Sequence, residues 1–235
     1  VVACVTEQKA DESPVTTADL AANQLIVDAL QAKWPDVPVL SEELPDQPQS
    51  APLFWCVDPL DGTRGFIEHN DEFTINIALI EHGRPTVGVV WVPIRDQGYV
   101  ATLEGGAWVV NHAAHKAPVR SRAWPHEGGV QLLSRHHHRT CNFSDVAHSE
   151  PMGSALKACM IAQGEADLYW REGPTSWWDT AAFQCIVEAA GGGVFDQKGQ
   201  PLTYQWGQSL LNPSFLVLGD CQRLGQCLQC IGSES

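Results

Sequence analysis

The stretch Leu53-Phe54-Trp55-Cys56-Val57-Asp58-Pro59-Leu60-Asp61-Gly62-Thr63 decides how this chain is read. Its first five residues are apolar and rich in β-preferring types, which predicts a buried strand. Pro59 has no N–H to give to a ladder, so the strand is expected to end there. Two carboxylates, Asp58 and Asp61, then stand at the strand end with Gly-Thr directly after them. Like charges at that range resist joint ionisation. Divalent cations relieve the repulsion, and hard ones such as Mg²⁺ prefer oxygen ligands. Gly62 allows close backbone approach. Thr63 adds a hydroxyl, and the amides that follow can face an anion. These features read as a metal-dependent phosphate site. The same letters also spell an Asp-Gly turn with two solvated aspartates.

Composition narrows the choice. With 235 residues, 44% of them hydrophobic, the chain can bury the core of one large domain or two closely packed ones. A less patterned connection over Asn111–Gly129 suggests two halves, residues 1–115 and 116–235. No run reaches the roughly 18 apolar residues that span a bilayer. No signal peptide is visible, because Glu7 and Asp11 interrupt the apolar start; the first residue is Val, not Met, so the true N-terminus is expected to be missing. A formal net charge of −14 argues against a nucleic-acid polymer as partner. It also calls for bound cations if the substrate is itself anionic. Of eight cysteines, Cys56, Cys159 and Cys185 lie in apolar runs and read as small buried hydrophobes. Cys227-x-x-Cys230 has metal-like spacing but lacks the second pair that a zinc site needs. Reduced thiols and a cytoplasmic location follow as expectations, with peripheral contact to the inner membrane left open.

The flanking segments add acids at element ends. A helix is predicted from Ala18 to Pro35, with Ala22, Leu25, Ile26, Ala29 and Leu30 as its apolar stripe. Asp19 sits in its first turn, where the helix dipole alone favours an acid. Val37–Leu40 reads as a short strand that delivers Ser41-Glu42-Glu43. Strands over 73–80, 86–92, 98–102 and 107–110 form an antiparallel block. Val130–Ser134 is a further strand, followed by His136-His137-His138, whose neighbours diverge in direction; we read them as mostly exposed, with one in reach of substrate. Ser154 is expected to cap a helix ending at Gly164. After a strand over 166–170, Asp179 opens a helix, as its N-cap on the plainest reading, that stops at Gly191. Val194-Phe195 and Phe215–Leu218 complete the strands. The tail from Gln222 shows little pattern and is expected to be loosely held.

Asp19, Glu42, Asp58, Asp61 and Asp179 thus all fall at element ends. The ordered set resembles the Mg²⁺-dependent, lithium-sensitive phosphatases of the inositol monophosphatase superfamily. The core pattern D-P-[IL]-D-G-T, then W-D-x-A-A, then A-G-G is matched at residues 58–63, 178–182 and 190–192. Ser13–Asp19, Leu40–Glu43, Glu72–Ile80, Gly153–Lys157 and Gly173-Pro174-Thr175 look most like the CysQ-type 3′(2′),5′-bisphosphate nucleotidases of that superfamily.

The resemblance implies an α/β (α+β) fold layered αβαβα, with the site where two halves meet. It implies hydrolysis of the 3′-phosphate of adenosine 3′,5′-bisphosphate to AMP and phosphate, with the 3′-phosphorylated sulfate donor as a further substrate. An inositol or sugar monophosphatase using the same metal site is the alternative. Glu42, Asp58, the Leu60 carbonyl, Asp61 and Asp179 are implied to hold two or three Mg²⁺ ions. Asp19 and Thr63 are implied to position and deprotonate the attacking water. Gly62 and Thr63 are implied to meet the scissile phosphate, beside substrate contacts from Glu42, Leu60, Asp61 and Asp179. For the second phosphate and the adenine, Ser154, Lys157 and Trp178 are the candidates. A monomer or homodimer acting on a small phosphorylated nucleotide is expected. The sequence departs from the family pattern in three places. An additional helix is expected before Val1, the region Arg135–Pro151 looks short, as though residues were missing, and the Cys-rich tail has no counterpart.

Overall fold

The computed structural model describes residues 6–8, 14–44, 50–135, 141, 143, 145–206 and 209–233; Cys4, Ser13 and His136–His138 lie outside them. The elements follow in chain order. A short hairpin, β1 (Thr6–Gln8) and β2 (Pro14–Thr16), leads into α1 (Thr17–Lys33). Then come β3 (Val39–Ser41), β4 (Leu53–Asp61), the single turn α2 (Thr63–Ile67), β5 (Thr74–Glu81), β6 (Arg84–Val92), β7 (Gln97–Thr102), β8 (Gly106–Val110) and β9 (Lys116–Val119). The second part holds β10 (Gly129–Ser134), β11 (Val146–Met152), α3 (Leu156–Ala162), β12 (Leu168–Arg171), β13 (Thr175–Ser176) and α4 (Trp177–Ala189). It ends with β14 (Gly193–Asp196), β15 (Leu211–Asn212), β16 (Phe215–Leu218) and α5 (Leu224–Ser233).

β3 to β9 form a seven-stranded sheet in sequence order, antiparallel except for the parallel pair β3–β4. A five-stranded mixed sheet runs β11-β10-β12-β16-β14. Side-chain alternation shows how these stack, because successive residues of a strand face opposite sides. On β4, Trp55 and Val57 pack with Val27 and Leu30 of α1, while Phe54 and Cys56 turn into the central core with α3 and α4. On β12 and β16, Tyr169, Phe215 and Val217 face that same core, while Leu168, Trp170, Leu216 and Leu218 face α5 through Cys227 and Ile231. The order is helix, sheet, helices, sheet, helix, which is the αβαβα layering expected.

Several local expectations are corrected. β4 does not stop at Pro59 but runs to Asp61, because its ladder with β5 breaks between Asp58 and Asp61 and the proline sits in that irregularity. The buried face of α1 is Asp19, Asn23, Val27 and Leu30, whereas Leu25 is exposed: the helix turns a polar row toward the site. Part of the connection after Asn111 is β9, an edge strand where Pro118 is tolerated opposite Trp108. β11, largely exposed and polar, is likewise an edge strand, and most of it falls in the Arg135–Pro151 region where no element was expected. The tail from Leu224 is a helix, with Leu224, Cys227, Leu228 and Ile231 packed on the second sheet. That i, i+3, i+4, i+7 spacing is legible only once Cys227 counts as apolar. Among the described residues no helix is long and apolar enough to cross a membrane.

Candidate active site

The irregularity in β4 places the paired acids. Asp58 is buried, and the Leu60 N–H donates to its Oδ1 at 3.0 Å, closing a local turn across Pro59. Asp61 ends the strand, and Gly62 follows at φ 90°, a left-handed conformation that glycine adopts without strain. Thr63 then opens α2. From far along the chain, Asp179 stands at the third position of α4, not at its cap. Ser176 is the cap, and its N–H donates to Asp179 Oδ2 at 2.7 Å. The helix start is therefore satisfied with the second Asp179 oxygen uninvolved in this bond. Ligand oxygens of Asp58, Asp61 and Asp179 lie within 4.8 Å of one another.

Crowding three carboxylates has a price in ionisation. Burial, then the charges of Glu42, Asp61 and Asp179, push Asp58 well above the usual carboxylate range. Burial and Asp61 push Asp179 up to about 8. Burial raises Asp61 as well, opposed by the Lys157 charge and by hydrogen bonds from Asn76, the Ala155 N–H and Thr74. Such a set, oxygen-only and short of counter-charge, fits a hard divalent cation. Glu42, delivered by β3 with its N–H on the Val57 carbonyl at 3.2 Å, is near enough to act on both Asp58 and Asp179, although it is not one of the mutually close three.

Asp19 and Thr63, 44 residues apart, are joined directly: Thr63 Oγ1 donates to Asp19 Oδ1 at 3.0 Å, with the Leu60 carbonyl a second acceptor at 3.2 Å. The other oxygen of Asp19 is fixed by the capping box of α1, taking the Thr16 N–H at 2.8 Å and the Thr16 hydroxyl. Asn23, one turn on, accepts from Ser41 Oγ at 2.7 Å and ties α1 to the strand that presents Glu42.

The acids share their cleft with basic side chains. A cleft of about 220 Å³ is lined by Asp61, Gly62, Ser154, Lys157, Arg171 and Asp179, among others. Lys157 is buried, donates to the carbonyls of Ser154 at 2.7 Å and Met152 at 3.2 Å, and lies 5.0 Å from the Tyr169 ring. Burial brings it down to about 8, against the pull of Asp61. Arg171 Nε is buried without a partner. Ser154 does not cap α3: the cap is Ala155, and the Ser154 hydroxyl donates to the Glu72 carbonyl. Trp178 packs against the core and is not part of the cleft lining. Sequence reasoning missed Asn23, Thr74, Asn76, Glu72, Arg135 and Arg171. For Thr74 and Asn76 a signal existed, since both fall in phase with Ala78 and Ile80 on the buried face of β5.

A layered α/β fold with oxygen-rich acids at the junction of two sheets defines the class. The chain belongs to the inositol monophosphatase family, whose sequence profile matches residues 3–223. Enzymes of this family are metal-dependent, and this chain presents a matching acidic triad. It is 45% identical over 224 residues to the Escherichia coli K12 protein named 3′(2′),5′-bisphosphate nucleotidase CysQ, covering 89% of this chain and 87% of that one. The solved structure of CysQ from Bacteroides thetaiotaomicron is similar at a TM-score of 0.76 and 34% identity, covering 89% of this chain and 86% of the other. An inositol monophosphatase from Zymomonas mobilis superposes at a TM-score of 0.78 and 26% identity, covering 97% and 88%.

Proposed function

We propose that this chain is a Mg²⁺-dependent 3′(2′),5′-bisphosphate nucleotidase that converts adenosine 3′,5′-bisphosphate to AMP and phosphate. One observation carries the reading: Asp61 and Asp179 line a single cleft together with Lys157 and Arg171. A substrate with two phosphates satisfies both sets of charge at once, one through the metal and one through the bases. The 45% identity to a protein of that name supports the nucleotide over inositol or sugar phosphates.

Glu42, Asp58, the Leu60 carbonyl, Asp61 and Asp179 would hold the metal, the first half supplying four of these five groups and residues 116–235 the last. Bound there, Mg²⁺ supplies neutralising charge for the phosphoryl group and a stronger water nucleophile at neutral pH. The remaining work belongs to the chain. Thr63, donating to Asp19, keeps oxygen lone pairs with which to accept from a water and hold it in line. Asp19 takes the proton through Thr63. The Gly62 and Thr63 backbone meets the 3′-phosphate, and Lys157 and Arg171 meet the 5′-phosphate by charge-assisted bonds. Cys56, Cys159, Cys185, Cys221 and Cys227 are free thiols, in keeping with a reducing cytoplasm. A monomer or homodimer suits a site built from one chain.

Phosphate release with Mg²⁺ across a panel tests this. Adenosine 3′,5′-bisphosphate should exceed inositol 1-phosphate in kcat/KM by about 100-fold, the worth of one charge-assisted contact to the second phosphate. Equal rates would defeat the substrate assignment and leave the metal site standing.

A further inference from the structure

Asp61 is gripped from two distant parts of the chain, unequally. On its own sheet, Thr74 Oγ1 and Asn76 Nδ2 reach Oδ2 at 3.4 and 3.3 Å; from far along the chain, the Ala155 N–H reaches the same oxygen at 2.6 Å. The firmest hold on this acid is therefore a backbone amide of the segment before α3. That segment does not support itself. Ser154 adopts φ 50°, a left-handed conformation that a non-glycine residue keeps only when its surroundings over-determine it.

Glu72, in the loop before β5, supplies what the segment lacks. Its Oε2 accepts the Gly153 N–H at 2.7 Å, and its carbonyl accepts the Ser154 hydroxyl. Arg135, just past β10, clamps both carboxylate oxygens, at 2.9 Å through Nε and 2.6 Å through Nη2. The same guanidinium donates to the Pro151 carbonyl at 3.2 Å. Three contacts from one residue pair thus fix residues 151–154, next to the amide that holds Asp61. Burial pushes the Glu72 carboxyl up, but the bonds from Arg135 and Gly153 outweigh it and leave it below its usual range.

We propose that Glu72 is a positioning residue for Asp61: with Arg135 it holds Gly153-Ser154-Ala155 so that the Ala155 amide sets the Asp61 side chain at the metal site. The inference rests on reading Asp58, Asp61 and Asp179 as that site. Arg135 lines the cleft, yet its forked donors are engaged by Glu72, so its part is to place the acids and not to bind phosphate.

Mn²⁺ titration of the substrate-free full chain, followed by electron paramagnetic resonance, tests this. Partners of a metal ligand typically carry about 10- to 100-fold in metal affinity, so Glu72→Gln should weaken Mn²⁺ binding by about tenfold or more. Arg135→Gln should do the same, and the double variant should be no weaker than the worse single one, because the two act as a unit. Arg135→Lys, which keeps the charge and loses the fork, should fall between. Wild type that binds no Mn²⁺ overturns the metal site and this proposal with it. Wild-type binding with Glu72→Gln within twofold overturns the proposal alone. If Glu72→Gln fails to fold, Arg135→Gln, whose side chain is 35% exposed, decides in its place: affinity within twofold of wild type overturns the proposal.

Discussion

The acids and the bases of the site are built in different ways. The acid set draws Asp58 and Asp61 from one strand end and closes with Asp179 from a helix start; burial raises all three in pKa, and the neighbouring carboxylates raise Asp58 and Asp179 further. The basic set draws Lys157 from α3 and Arg171 from the end of β12; Lys157 is buried and lowered to about 8, and the half-buried Arg171 has its Nε unpartnered. Both sets suffer from burial, and the acids suffer from crowding as well. Crowded acids call for cations and buried cations call for anions, and the two demands meet in a metal-bound phosphate ester.

The severest break in this comparison is Asp61→Asn. Turnover should fall beyond the roughly 100-fold that outer contacts to a metal command, since a ligand itself is lost. The fold should persist, and metal-free thermal stability should hold or rise, because one carboxylate leaves a repulsive cluster. Phosphate release and calorimetry on the same sample read both. Activity within tenfold of wild type would remove Asp61 from the metal site.

Next comes Lys157→Met, aimed at the bases. A buried charge-assisted hydrogen bond is worth about 2–3 kcal/mol, so kcat/KM for the bisphosphate should drop by about 100-fold. A nucleoside 3′-phosphate lacking the 5′-phosphate should lose far less. In the wild type Lys157 is a cation below about 8. Its kcat/KM for the bisphosphate should therefore fall as pH rises through that value, and the variant should lack this limb. An equal loss on both substrates would make Lys157 a structural cation.

The difference between the two sets also decides what the sequence discloses. Asp58, Pro59, Asp61 and Gly62 are adjacent, so the letters that specify the chemistry also specify the turn, and the acid set is legible. Even there the strand end was misplaced by two residues, because a ladder irregularity accommodates Pro59 in a way no propensity reveals. The basic set has no such adjacency. Lys157 looks like surface charge on a helix start until the fold buries it, and Arg171 is one residue at a strand end. Glu72 and Arg135 meet across 63 residues, and no local pattern announces it. In the layers, continuous apolar runs spelled β4 and β16 and alternation spelled β5, whereas the edge strands β9 and β11 were hidden by prolines and polar residues that only an edge tolerates.

A smaller effect separates the two sets by pH. Free aspartate titrates near 4, whereas Asp179 titrates at about 8 in the fold, so between these values the native state binds more protons than the unfolded chain. Stability of the metal-free protein should consequently be greatest below pH 4 as far as this group is concerned, and fall as pH rises toward 8. Beyond that, buried thiols such as Cys56 and Cys185, raised by burial, extend the fall. Calorimetry in chelator should show the melting temperature dropping from pH 5 to 8, and Mg²⁺ should restore most of the loss at pH 8. Superimposable profiles with and without Mg²⁺ would show that the cluster is relieved by something other than a cation.

The smallest effect on turnover is expected from the back of the molecule, and it tests how far the basic set is insulated. Tyr169 and Arg171 of β12 line the cleft, while Leu168 and Trp170 face α5. The same strand thus carries the cleft on one side and the Cys-rich helix on the other. Ile231 is 7% exposed in that outer cluster. Ile231→Ala should cost about 2–5 kcal/mol in stability through lost burial and the cavity left behind. Cores relax only partly around such a cavity, and a twisted sheet lies between it and Arg171, so kcat/KM for the bisphosphate should stay within about twofold. Equilibrium unfolding and steady-state kinetics on one preparation check both parts. A fall in kcat/KM confined to the substrate with the 5′-phosphate would show that α5 sets the position of β12, and that the basic set, unlike the acid set, depends on packing from behind.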